Sequence, residues 1–181
     1  MLEKPFLTYL LKFLLTFCIL YYGTKAMIGI TNPGGYYNAF ADKYMDYISG
    51  FRNLLLNSSK LLLQAIGYDV YLKDGYTIKM INGRGVKIVY SCLGYGIISF
   101  WIAFVFANKT SLKKMLQWMT GGVLVIFLLN VFRICLMLIS VNKHWSSLFN
   151  LDNHTWFNIV LYGVLFFMIY LFDRSEKIQV N

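Results

Sequence analysis

The stretch over residues 116–139, LQWMTGGVLVIFLLNVFRICLMLI, constrains the chain more than any other part of it. As a helix it reaches roughly 36 Å, enough to cross a hydrocarbon layer about 30 Å thick. Three more segments, at about 5–23, 91–107 and 155–172, can do the same where flanking polar groups reach the interface. Lys12 lies near the start of the first, where its charge can snorkel. A soluble fold would need amphipathic partners to cover these helices, and the chain has too few polar-faced segments to provide them. With 58% apolar and aromatic residues against 14% charged, the excess has to face lipid. The expected fold class is an all-α polytopic membrane protein with about four transmembrane helices.

The formal charge of +9 does not point to nucleic acid, because the basic residues are scattered between apolar runs and form no basic-aromatic platform. Lys and Arg at membrane margins account for it better. The short loop NKTSLKK at 108–114 holds Lys109, Lys113 and Lys114 with no acid, which places it in the cytoplasm. Both termini then lie inside, and the stretches at 30–90 and about 142–153 lie outside. The longer outer stretch also carries seven Lys and Arg residues, but long loops weigh less in orientation. The first apolar run follows Lys4 and Lys12 as a secretion signal would, yet YYGTKAMIGI offers only a weak cleavage pattern. That helix is expected to be retained.

The outer region, about 36–90, is not a single loop. After the turn NPGG, Phe40, Tyr44, Tyr47, Phe51 and Leu55 recur at spacings of three or four. Asp42, Lys43, Asp46 and Arg52 lie off that stripe, so an outer amphipathic helix is expected on the membrane surface, extending towards SSKLLLQAI. YDVYL, YTIKMI and VKIVY then alternate around the turns KDG and NGRG. They read as a small antiparallel β hairpin or meander that aims the start of the second membrane helix.

Cys18, Cys92 and Cys135 are too few and too far apart for a disulfide framework or a zinc site. Cys18 and Cys135, inside apolar runs, read as small buried hydrophobes. Cys92, in SCLGYG, falls at the outer start of the second membrane helix, with Ser91 as its N-cap; free amides and the helix dipole there favour a thiolate. Gly94 and Gly96 leave room for a substrate backbone or serve close helix packing. Taken alone, Cys92 reads as a structural cysteine.

Arg133 sits inside an apolar run, where an unpaired guanidinium costs several kcal/mol by some scales. It lies roughly 27 Å along the helix from Met115, near the outer surface, where it either lines a polar interior or snorkels to headgroups. Asn130 shares its face and can bond Arg133 or a substrate. His154 in DNHTW opens the fourth helix on the same side, as a solvated cap, an interface anchor or a proton carrier. His144 in NKHWSS competes for that last role from the loop. Together, Cys92, Arg133 and His154 supply a nucleophile, an oxyanion donor and a base on one leaflet.

At these residues the chain resembles the exosortase/archaeosortase family of polytopic membrane transpeptidases, whose characteristic Cys, Arg and His lie on successive outer helix ends. NGRGVKIVYSCLG supplies Cys92, Asn130-Val-Phe-Arg133 supplies the Asn-x-x-Arg pattern, and DNHTW supplies His154. The resemblance covers roughly 67–163, and it implies that the chain is a short, core-only member forming a single exosortase-like membrane domain over 1–181. The resemblance implies a thiol protease or transpeptidase, hence a hydrolase engaged in protein sorting, in a bacterial or archaeal cytoplasmic membrane with its site outside. Its substrate would be a membrane-anchored protein with a carboxy-terminal sorting signal: a short polar motif, an apolar helix and a basic tail. The chain would pass the new carboxyl end to an amine acceptor, without a cofactor or metal.

The rival reading is a non-catalytic membrane scaffold or assembly factor that binds a partner's transmembrane helix. A lone transport pore lacks the repeats and intramembrane charges of alternating access. Zinc hydrolysis is disfavoured because His144 and His154 are ten apart without an HExxH helix.

Overall fold

A computed structural model describes residues 4–32, 36–143 and 153–177. The chain runs through α1 (Lys4–Thr31), α2 (Ala39–Met45), α3 (Tyr47–Ala65), β1 (Val70–Lys73), β2 (Thr77–Met80), β3 (Gly85–Lys87), a 3-10 turn (Tyr90–Leu93), α4 (Tyr95–Ala107), α5 (Leu112–Lys143) and α6 (Asn153–Lys177). Among the described residues, three helices, α1, α5 and α6, are long and apolar enough to cross a membrane. The second apolar segment, expected over about 91–107, is α-helical only from Tyr95 and forms the shorter α4, about 20 Å long. The chain is thus a helical, polytopic membrane protein with a small antiparallel sheet.

Two compact units share this chain: Met1–Gly50 with Gly94–Leu124, and Phe51–Leu93 with Val125–Asn181. In the first, α1 and α4 meet through aromatic rings. Phe13 and Phe100 meet edge to face at 5.3 Å, and Tyr21 stacks on Tyr95 at 5.4 Å. Such pairs add about 0.5–1.5 kcal/mol beyond burial alone. Trp101 is wholly buried, and its indole N–H donates to the Trp118 carbonyl at 2.9 Å. A Cβ on Gly122 would collide with that indole, so glycine there admits the tryptophan. Cys18 is exposed on α1, contrary to the buried role expected for it, because α1 turns that face away from protein.

The expected outer helix is broken in two. Asn38 caps α2, its side-chain oxygen accepting from the amides of Phe40 and Ala41. At Asp46 the backbone leaves helical geometry, and its carboxylate accepts the Ser49 amide at 2.9 Å, starting α3 afresh. Aspartate competes for the backbone in this way at helix starts. The aromatic stripe is accordingly divided: Phe40, Tyr44 and Tyr47 are exposed, whereas Leu55 is fully buried.

In the second unit α3 buries Leu55, Leu56, Ser59 and Leu63 and ends at Gly67, whose positive φ of 87° allows Tyr68 N–H to reach the Leu63 carbonyl. The strands form an antiparallel meander in the order β1-β2-β3, as the alternation predicts. Asp74 and Gly75, both at positive φ, make the first turn. Ile78, Val86 and Ile88 are buried. The far end of α5 is latched to the second turn by Asn142, whose amide nitrogen donates to the Arg84 carbonyl at 3.1 Å and whose oxygen accepts the Arg84 amide at 2.6 Å. A Cβ on Gly83 would strike that same side chain. On α6 the buried residues Leu161, Leu165, Met168 and Phe172 form one stripe, while Tyr162, Phe166, Phe167 and Tyr170 face outwards.

Candidate active site

Cys92 lies in the 3-10 turn between β3 and α4, and its amide donates to the Val89 carbonyl at 2.8 Å. The turn is anchored by the buried Leu93 and closed by Gly94, at φ 75° and ψ 13°, a left-handed conformation that disfavours residues with a Cβ. Gly94, not Ser91, is the N-cap of α4, so the cysteine precedes the helix instead of opening it. The sequence pattern does not reveal this because SCLG is apolar and small enough to extend a helix. The dipole argument for Cys92 therefore gives way to a neighbouring side chain. Gly94 has a backbone reason to be glycine, whereas a Cβ on Gly96 would meet the Tyr21 ring at 3.5 Å, an ordinary van der Waals contact, so packing does not demand glycine there.

That neighbour is Arg133. Its Nη2 stands 3.9 Å from Cys92 Sγ, across 41 residues of sequence. The separation is long for a strong hydrogen bond but short enough for charge to matter in a low-dielectric surrounding. Arg133 is only 5% exposed, so it does not snorkel into solvent. Its Nε is buried without a hydrogen-bond partner, as are both polar atoms of the Asn130 side chain. Of the two partners open to Asn130, Arg133 or a substrate, the first is not bonded to it among the described residues. Each such buried, unsatisfied group costs about 1–3 kcal/mol, and three of them within one turn of α5 form an unfilled set of donors and an acceptor.

His154 is the second residue of α6, and its side chain lies outside the described residues. His144 also lies outside them. Cys135, buried where Cys92 is half-buried, points its thiol at the Ser59 carbonyl, 3.5 Å away, tying α5 to α3. A charged residue that the helical stripe places on a polar face is also buried: Arg52, 4% exposed, lies with its guanidinium 4.0 Å above the ring of Tyr76 and 5.4 Å from that of Tyr90. Only the tyrosines around the strands hint at this in sequence, because aromatic faces accept arginine.

A polytopic membrane protein with a thiol and a buried guanidinium at one turn is the class that these elements define. The chain matches the transmembrane exosortase family over residues 8–172, most of its length, and belongs to that family. Membership supports a membrane transpeptidase-type role. No curated protein and no solved structure matches the chain.

Proposed function

We propose that the chain is a membrane-embedded cysteine transpeptidase or protease that cleaves carboxy-terminal sorting signals of surface proteins at the outer face of the cytoplasmic membrane. The observation that carries this reading is the approach of the buried Arg133 Nη2 to the half-buried Cys92 Sγ at 3.9 Å. The sulfur attacks a substrate peptide carbonyl, and the resulting oxyanion takes its stabilisation from the Arg133 guanidinium. Collapse of that intermediate breaks the C–N bond and leaves a thioester. His154, at the head of α6, takes the thiol proton and delivers it to the leaving amine. An amine acceptor then resolves the thioester in transfer, or water does so in proteolysis.

Asn130 assists as a substrate-positioning residue, its amide offering two donors and an acceptor where no protein partner meets them. A peptide backbone supplies both kinds of partner. Substrate binding would therefore satisfy groups that the free protein leaves buried and unpaired.

The test is a Cys92→Ala chain that inserts normally, assayed for processing of a candidate protein with a polar motif, an apolar helix and a basic tail. Processing is expected to fall to background, and wild type is expected to yield a hydroxylamine-sensitive adduct at Cys92. Full processing by Cys92→Ala would remove the nucleophile assignment and leave the scaffold reading.

A further inference from the structure

Burying a guanidinium is costly, and a well-packed apolar side chain of similar volume is often as stabilising or more so. Arg52 is nevertheless 4% exposed, on a helix whose other buried positions are mostly leucines. Its guanidinium lies over two rings that belong to different parts of the outer region. Tyr76 immediately precedes β2, and Tyr90 opens the 3-10 turn that carries Cys92. Both distances, 4.0 and 5.4 Å, fall inside the range in which a ring face attracts a cation.

The backbone between the two tyrosines is held as well. Ile88 N–H donates to the Tyr76 carbonyl at 2.7 Å, and Cys92 N–H donates to the Val89 carbonyl at 2.8 Å. The path from Arg52 to the sulfur thus runs through one ring and two residues of a hydrogen-bonded turn. At its other end, α3 is fixed against α5, the helix of Arg133, by the Phe51 and Phe127 rings at 5.9 Å and by the Cys135 thiol on the Ser59 carbonyl. Arg52 therefore ties the turn bearing the thiol to the framework bearing its guanidinium partner.

We propose that Arg52 is a positioning residue for Cys92: by clasping Tyr90 it sets the 3-10 turn so that the sulfur faces Arg133, a role that rests on reading Cys92 as the nucleophile. An arginine suits this task because its flat cation can lie on two faces at once, whereas an aliphatic side chain fills space without orienting a ring.

The experiment needs no substrate. The full chain is reconstituted in phosphatidylcholine vesicles, and alkylation of Cys92 by iodoacetate and by iodoacetamide is timed by mass spectrometry of its peptide. Iodoacetate is an anion and iodoacetamide a neutral reagent of similar size, so the ratio of their rates reports whether the sulfur faces a guanidinium. Arg52→Met and Tyr90→Leu are each expected to lower that ratio about fivefold, the scale of a modest cation–π contact, while Arg52→Lys and Tyr90→Phe hold it within about twofold. Tyr90→Leu retains the Arg52 charge, so its loss reports orientation instead of a missing cation. The Arg52→Met/Tyr90→Leu pair should fall no further than either single change, because both cut the same tether.

A wild-type ratio in both Arg52→Met and Tyr90→Leu overturns the proposal, as does a double variant whose loss is the product of the singles. An unchanged ratio in Arg133→Gln overturns it too, since the sulfur would then not face that residue. Should Arg52→Met fail to insert, the contrast between Tyr90→Leu and Tyr90→Phe decides alone. If Cys92→Ala still processes substrate, the nucleophile reading fails separately, and the alkylation ratio continues to report the tether.

Discussion

The two units treat their polar atoms differently. In the first, the buried Trp101 indole finds the Trp118 carbonyl, and the Tyr47 hydroxyl donates to Thr24 Oγ1 at 3.0 Å. In the second, Asn130 and Arg133 Nε are buried within one turn of α5 with no hydrogen-bond partner among the described residues. Apolar spans alone do not separate the units, since both are rich in leucine and phenylalanine. Satisfaction does: among the described residues, the first unit leaves no buried side-chain donor or acceptor open, and the second keeps a set open beside a thiol. Open sets of this kind are expensive in a stable interior and useful where a ligand completes them.

The contrast is sharpest when each unit is damaged in turn. Trp101→Ala removes a fully buried indole and should destabilise the chain by about 3–5 kcal/mol, read as a lowered thermal midpoint in detergent. Arg133→Gln should do the reverse: processing falls about 10²- to 10³-fold, the usual cost of losing an oxyanion donor, while the midpoint holds or rises because an uncompensated charge has left the interior. Normal processing by an inserted Arg133→Gln chain would break the comparison. Asn130→Leu is the finest probe. It should reduce processing about tenfold, the scale of one hydrogen bond to a substrate, without lowering the midpoint. A midpoint that drops together with activity would make Asn130 a structural residue and erase the difference between the units.

Much of this architecture is legible in the pattern of residues. The apolar runs at 5–23, 116–139 and 155–172 correspond to α1, α5 and α6, each longer than its apolar core by several residues. Helix ends extend into polar flanks because hydropathy marks where lipid lies, whereas backbone hydrogen bonds continue past that margin. The meander follows from alternation and two turns, both local properties. The division at Asp46 and the 3-10 turn at Cys92 are harder to read, since each turns on one or two backbone angles at residues that also tolerate a helix.

By itself, the sequence determined that this chain enters a membrane, where its apolar segments and strands fall, and which thiol and guanidinium deserve suspicion; period, length and charge are properties of neighbouring residues. Only the tertiary structure decided that Arg133 meets Cys92, that Asn130 is left without a partner among the described residues, and that Arg52 is buried between Tyr76 and Tyr90. Those contacts join positions dozens of residues apart. They depend on how helices and strands stack, which no local periodicity encodes.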